Sequence, residues 1–154
     1  MTLTPGQKAP DFKLYSSELK EVSLSDYSSK KLIIHFFPMA FTGVCTEQLC
    51  TMRDSFGYYE GLGAEIVAIS VDSPFTLAKF KEDNHYQFPL LSDFNKETSQ
   101  AYGAYYEDFV FGLKGVAKRA AFVIDENQTI LYAEVLEAAS ELPNFDAIKK
   151  AITN

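Results

Sequence analysis

The chain has 154 residues, 21 acidic and 14 basic, for a formal net charge of -7. That acidic balance, without any basic stripe, excludes nucleic acid and anionic membrane surfaces as expected partners, because both select clustered Lys and Arg, and no apolar run approaches the ~20 residues that cross a bilayer. With 47% hydrophobic residues, among them 13 Phe and 9 Tyr, a chain of this size can fill one core, so residues 1–154 read as a single domain and disorder is excluded.

The opening MTLTPGQKAPDFKL lacks the charged and apolar regions of a secretory leader, which gives a cytoplasmic expectation. Two cysteines, Cys45 and Cys50, are too few for a disulfide scaffold, and a nearby pair in a reducing compartment points to redox chemistry. Leu32 to Phe37 is a short apolar run broken only by His35, and Ile66 to Val71 is another; both read as strands buried on two faces. Between them Cys45, Leu49, Met52 and Phe56 recur at helical spacing, with Gly61 and Gly63 ending the helix. Strand, helix and strand in about 40 residues make a βαβ unit with parallel strands.

Ser73 and Pro74 open a second helix that turns Leu77 and Phe80 inward. Phe88 to Leu91 reads as a strand, Lys96 to Tyr102 as a short helix ended by Gly103, and Tyr105 to Phe111 as an aromatic loop. Ala120 to Ile124 and Ile130 to Val135 form a hairpin across the turn Asp125 to Gln128. Pro143 opens a last helix with Phe145, Ile148 and Ile152 in one stripe. The pattern is α/β, a mixed sheet flanked by helices.

The first strand-to-helix junction, HFFPMAFTGVCTEQLC, carries the chemistry. Cys45 falls in the first helical turn, where unpaired backbone N–H groups and the positive end of the macrodipole favour a negative sulfur, the reactive form. Pro38 stiffens the strand exit, and the Thr42 hydroxyl lies three residues before the sulfur, within reach of it or of an oxygen beside it. The bland reading of Cys45 is a small core hydrophobe; its place at this junction argues against that.

Pro38, Thr42 and Cys45 match the spacing of the peroxiredoxin signature, and the chain resembles that family over nearly its whole length. GQKAPDFKL, EIVAISVDSPF, FPLLSD with the following AYG, and KRAAFVIDENQTILY carry the likeness. It implies a thioredoxin-like fold and a peroxidase that reduces hydroperoxides through a sulfenic acid on Cys45. It also gives Arg119 the part of an active-site arginine, a permanent fork of donors that could hold the peroxide; the plain alternative is a surface ion pair with Asp125. No metal or organic cofactor is expected. The partners implied are a hydroperoxide, a thioredoxin-like dithiol reductant and a second copy meeting the aromatic loop Tyr105 to Phe111.

Within the chain, Cys50 is the candidate for resolving the sulfenic acid into an internal disulfide. Five residues apart on an ideal helix, the two Cα atoms lie about 8.6 Å from each other, whereas a disulfide needs less than ~7 Å. The helix must therefore unwind when the disulfide forms. The five-residue spacing is similar to that of bacterioferritin-comigratory, or Q-type, peroxiredoxins, although TGVC and Gln48 depart from that pattern. GLKGVAKRAAFVIDEN is more similar to the thiol peroxidase type, whose resolving position here holds Phe80 and Lys81. The alternatives left open are an inert Cys50 with an external resolving thiol, and a redox switch or holdase using the same pair. His35 is expected to be a neutral core histidine, His85 a solvated one, and Arg53 a member of a surface ion pair.

Overall fold

In the computed structural model, which describes residues 2–153, seven strands form one mixed sheet. Its centre is the expected βαβ unit: β3 (Lys31–Phe36) pairs in parallel with β4 (Ala64–Ser70), and β4 with β5 (Leu90–Ser92). On the other side of β3, the hairpin β8 (Ala120–Ile124) and β9 (Ile130–Val135) runs antiparallel. Its turn is tied by Asp125 Oδ1, which accepts from the N–H groups of Asn127 and Thr129 at 2.8 and 2.9 Å. An N-terminal hairpin, β1 (Lys13–Ser16) with β2 (Glu21–Ser23), extends the β5 edge. It has no counterpart among the elements expected from the sequence, because strands of three and four residues are too short for a pattern to stand out from the loops around them.

The α-helices among the described residues are α1 (Gly43–Asp54), α2 (Phe56–Gly61), α3 (Pro74–Asn84), α4 (Glu97–Ala101) and α5 (Phe145–Thr153). Ser73 caps α3 through its hydroxyl, which accepts from Thr76 N–H, with Pro74 in the first turn. The single helix expected from Cys45 to Gly61 is instead two. At Ser55 the N–H turns back to the Met52 carbonyl, three residues away rather than four, and the ladder tightens and breaks. Likewise, β5 starts at Leu90 because Pro89 has no N–H for the ladder, and Lys96, at φ +67°, stands outside α4. Pro143 does not open α5; Asn144 does, its Oδ1 accepting from Ala147 N–H at 3.0 Å.

Strand alternation divides the interior into two layers. Leu32, Ile34 and Phe36 join Val67, Ile69, Phe122 and Tyr102 on one face. Ile33 and Phe37 join Cys45, Leu49, Met52, Ile66, Phe80, Val123 and Ile148 on the other. Within the aromatic segment, β6 (Tyr105–Tyr106) pairs with β7 (Val116–Ala117). Only the tip of the loop expected there remains outside, with Phe111 95% exposed.

Candidate active site

Sheet register puts the chemistry in one place. His35 shares the face of Ile33 and Phe37 by parity, and β8 lies beside it with Ala121 opposite His35. Two residues before Ala121 along β8's direction stands Arg119, on the same face and level with the strand exit at Phe37. Helix α1 starts over this exit, so the first turn brings Cys45 down onto Arg119. Arg119 Nη1 donates to Cys45 Sγ at 3.3 Å and to Gln48 Oε1 at 2.9 Å, while Nη2 donates to the Ala139 carbonyl at 2.7 Å.

Arg119 and Cys45 are each 2% exposed. The ion pair between Arg119 and Asp125 weighed from the sequence is not formed, for Asp125 is committed to its own turn. Arg119's partners are an amide oxygen, a carbonyl and the sulfur, none of them a carboxylate. A buried guanidinium without a carboxylate is costly, and Cys45 is the one group among these partners that can ionise to an anion. The α1 terminus adds to the same field. Thr42, at the cap, makes no side-chain cap bond, and no acidic residue stands in the first turn, so the helix-end N–H groups meet no competing anion there.

The turn between strand and helix is held from several sides. Asp72 Oδ2 accepts from Ala40 N–H at 2.8 Å and from Ser70 Oγ at 2.6 Å. Phe41, at φ +66°, pays for a left-handed backbone by packing on Phe80, ring centroids 5.1 Å apart. Pro38 is buried beneath this turn. Thr42 is exposed, and its hydroxyl donates to the Met39 carbonyl at 2.7 Å rather than to Cys45. The extended backbone at Thr42 turns the side chain toward the preceding loop.

Cys50 lies two turns along α1, half-buried and free, its Sγ 3.6 Å from Tyr86 Oη and 4.0 Å from Asn84 Oδ1. Tyr86 Oη donates to the Thr46 carbonyl at 3.4 Å, and burial, then the contact with Cys50, raises its pKa. Both cysteines sit inside the unbroken α1. Arg53 pairs with Asp54 at 3.0 Å, as expected, and also donates to the Asn84 carbonyl at 2.9 Å. His85 is exposed at the left-handed end of α3.

Two residues belong to the site that sequence reasoning left out of it. Gln48 is fully buried, its Oε1 on Arg119 and its Nε2 2.9 Å from His35 Nδ1. Asp72 holds the turn. The available signal for Gln48 was its place three residues beyond Cys45, on the same side of α1; for Asp72 there was none, since its partner is a backbone N–H 32 residues away.

Comparison with known proteins adds to this geometry. A family model described as AhpC/TSA family matches residues 5–133. Alkyl hydroperoxide reductase E of Mycobacterium tuberculosis is 38% identical over 136 residues, covering 86% of this chain and 86% of that protein. A chloroplastic 2-cysteine peroxiredoxin of Chattonella marina var. antiqua is 36% identical over 146 residues, 88% of this chain and 72% of the relative. Among solved structures, peroxidoxin BcpB of Mycobacterium tuberculosis superposes with a TM-score of 0.83 at 28% identity, over 98% of this chain and 95% of that one. A peroxiredoxin-like protein of Aquifex aeolicus gives 0.89 at 25% identity, over 99% and 88%.

Proposed function

Because the chain belongs to the AhpC/TSA family and is a peroxiredoxin, a thiol peroxidase, we propose that Cys45 is its nucleophile, that Arg119, Thr42 and Pro38 serve it, and that Cys50 resolves its product. The reading rests above all on the buried Arg119 contact with Cys45 Sγ at 3.3 Å, with no carboxylate bonded to that guanidinium among the described residues.

In the first step the Cys45 thiolate attacks the terminal oxygen of a hydroperoxide. The O–O bond breaks, sulfur is oxidised to the sulfenic acid, and an alkoxide or hydroxide leaves and takes a proton. Arg119 and the N–H groups at the start of α1 face the charge that develops on the leaving oxygen. Thr42 serves by rotating its hydroxyl from the Met39 carbonyl onto the bound peroxide, a change of one torsion. Pro38 keeps the floor of the pocket rigid.

In the second step the Cys50 sulfur attacks the Cys45 sulfenic sulfur, the disulfide forms and water leaves. Helix α1 has to open for this, since helical spacing holds the Cα atoms about 8.6 Å apart. The helix is made to open easily: its N-terminus lacks a side-chain cap, Gly43 starts it, and the Thr46 and Thr51 hydroxyls bond back to the Thr42 and Glu47 carbonyls at 2.8 Å each, an arrangement that weakens helices. A thioredoxin-like dithiol then reduces the disulfide. The exposed apolar tip of Val110, Phe111 and Leu113 suits a second copy of the chain; sedimentation of wild type at high concentration as a monomer removes that assignment.

Peroxide treatment followed by mass measurement tests the scheme. Wild type should lose two hydrogens as the disulfide forms, Cys50→Ser should gain one or more oxygens, and Cys45→Ser should stay unmodified. A Cys45→Ser chain that still consumes peroxide overturns the nucleophile, and a Cys50→Ser chain that turns over normally with a dithiol overturns the resolver.

A further inference from the structure

We infer that His35 is a positioning residue for the peroxide step, holding the Gln48 amide so that its oxygen stays on Arg119; this rests on the roles given above to Cys45 and Arg119. Counting donors and acceptors fixes the arrangement. A guanidinium only donates, so the Gln48 atom facing Arg119 Nη1 at 2.9 Å is the amide oxygen. A carbonyl only accepts, so the atom 3.3 Å from the Phe36 carbonyl is Nε2. Its second N–H then points at His35 Nδ1, 2.9 Å away, and Nδ1 must accept. The imidazole proton therefore sits on Nε2.

That nitrogen is buried and has no hydrogen-bond partner among the described residues. An orphaned buried donor is destabilising, so an apolar side chain stacked on Phe145 as the imidazole is would serve the core at least as well. What histidine adds is the lone pair at Nδ1. Burial keeps that lone pair available, lowering the His35 pKa from 6.5 to about 3. With the acceptor in place, both N–H groups of the Gln48 amide have a partner, and the amide plane cannot turn them toward Arg119 without losing those bonds. Arg119 then keeps Nη1 aimed between Gln48 and the sulfur.

The test is the second-order rate at which the reduced protein consumes hydrogen peroxide, read beside the melting temperature. His35→Leu should fall by about tenfold, the scale expected of a small displacement in a preorganised site, with a melting temperature close to wild type, since one orphaned donor is exchanged for another. His35→Asn places an oxygen where Nδ1 was and should recover the rate to within about threefold of wild type. The double variant His35→Leu/Gln48→Leu should be no slower than Gln48→Leu alone. A wild-type rate in His35→Leu, an Asn variant no better than the Leu variant, or losses that multiply in the double variant would each overturn the inference. Should His35→Leu not fold, the ¹⁵N shifts of the wild-type imidazole decide: protonation at Nε2 supports the inference and protonation at Nδ1 refutes it. Arg119→Ala in the same assay separates the two levels. An unchanged rate there removes the underlying site, whereas a loss there with an unchanged His35→Leu removes only the role of His35.

Discussion

The two ends of α1 hold their cysteines by different means. At the start, Cys45 is sealed in with a guanidinium that is itself tied to an amide and a carbonyl. Five residues later, Cys50 touches a phenol and an asparagine at 3.6 and 4.0 Å and keeps part of its surface in solvent. Charge and burial fix the first sulfur in one geometry, which is what an oxygen transfer needs. Weak neutral contacts hold the second, which is what a thiol that has to travel needs. One helix thus combines a preorganised end with a releasable one.

Breaking the preorganised end should give the largest effect. Arg119→Ala removes the one charged donor that reaches the sulfur among the described residues and should slow peroxide consumption by about 10²–10³, the cost of losing one such donor in other oxyanion sites, while the sheet and helices remain as they are. Stopped-flow consumption of hydrogen peroxide by the reduced variant checks this; a rate within a factor of two or so of wild type would mean the contrast between the two ends has no catalytic meaning.

The same end should also make the fold sensitive to acid. His35 has its pKa lowered by burial from 6.5 to about 3, so between those values the unfolded chain binds a proton that the folded chain refuses. Stability from this group is complete above pH 6.5, falls as pH drops toward 3, and changes no further below that. The slope approaches about 1.4 kcal/mol per pH unit. Urea unfolding of wild type and His35→Asn between pH 7 and 4 isolates it, because carboxylates act on both chains alike. The wild-type curve should fall more steeply; parallel curves would place the imidazole in contact with water.

The contrast was half legible in the sequence. Local signals sufficed for the strand–helix–strand unit, for Ser73 and Pro74, and for Pro38, Thr42 and Cys45 at the junction, because each lies within one turn or one strand of what it organises. Arg119 came through the family resemblance, and sheet parity then explains why it reaches Cys45. Gln48 reads as an ordinary helix residue until the rotation of α1 over β3 is known, and that rotation turns it onto His35, 13 positions earlier. His35 reads from its strand as buried and neutral, but its hydrogen-bond partner Gln48 lies on another element and leaves no local signal. The direction of the Thr42 hydroxyl, the break at Ser55 and the hold of Asp72 on Ala40 each depend on one backbone torsion or one long-range hydrogen bond, which residue patterns do not encode.

The releasable end offers the smallest effect and the sharpest sign. Tyr86 Oη joins the Thr46 carbonyl, in the first turns of α1, to the neighbourhood of Cys50, and its raised pKa keeps it a neutral phenol. If its hydroxyl does no more than hold the closed helix, Tyr86→Phe costs the folded form about 1 kcal/mol. Opening, and with it disulfide formation after a peroxide pulse, should then quicken by about fivefold, while the first oxidation keeps its rate because the Arg119 hydrogen bond to Cys45 is untouched. Quenched-flow mass measurement resolves the two steps. Slower disulfide formation would reverse the argument: the phenol would be delivering or accepting the thiol proton, and Cys50 would have to react before α1 fully leaves its place beside Tyr86.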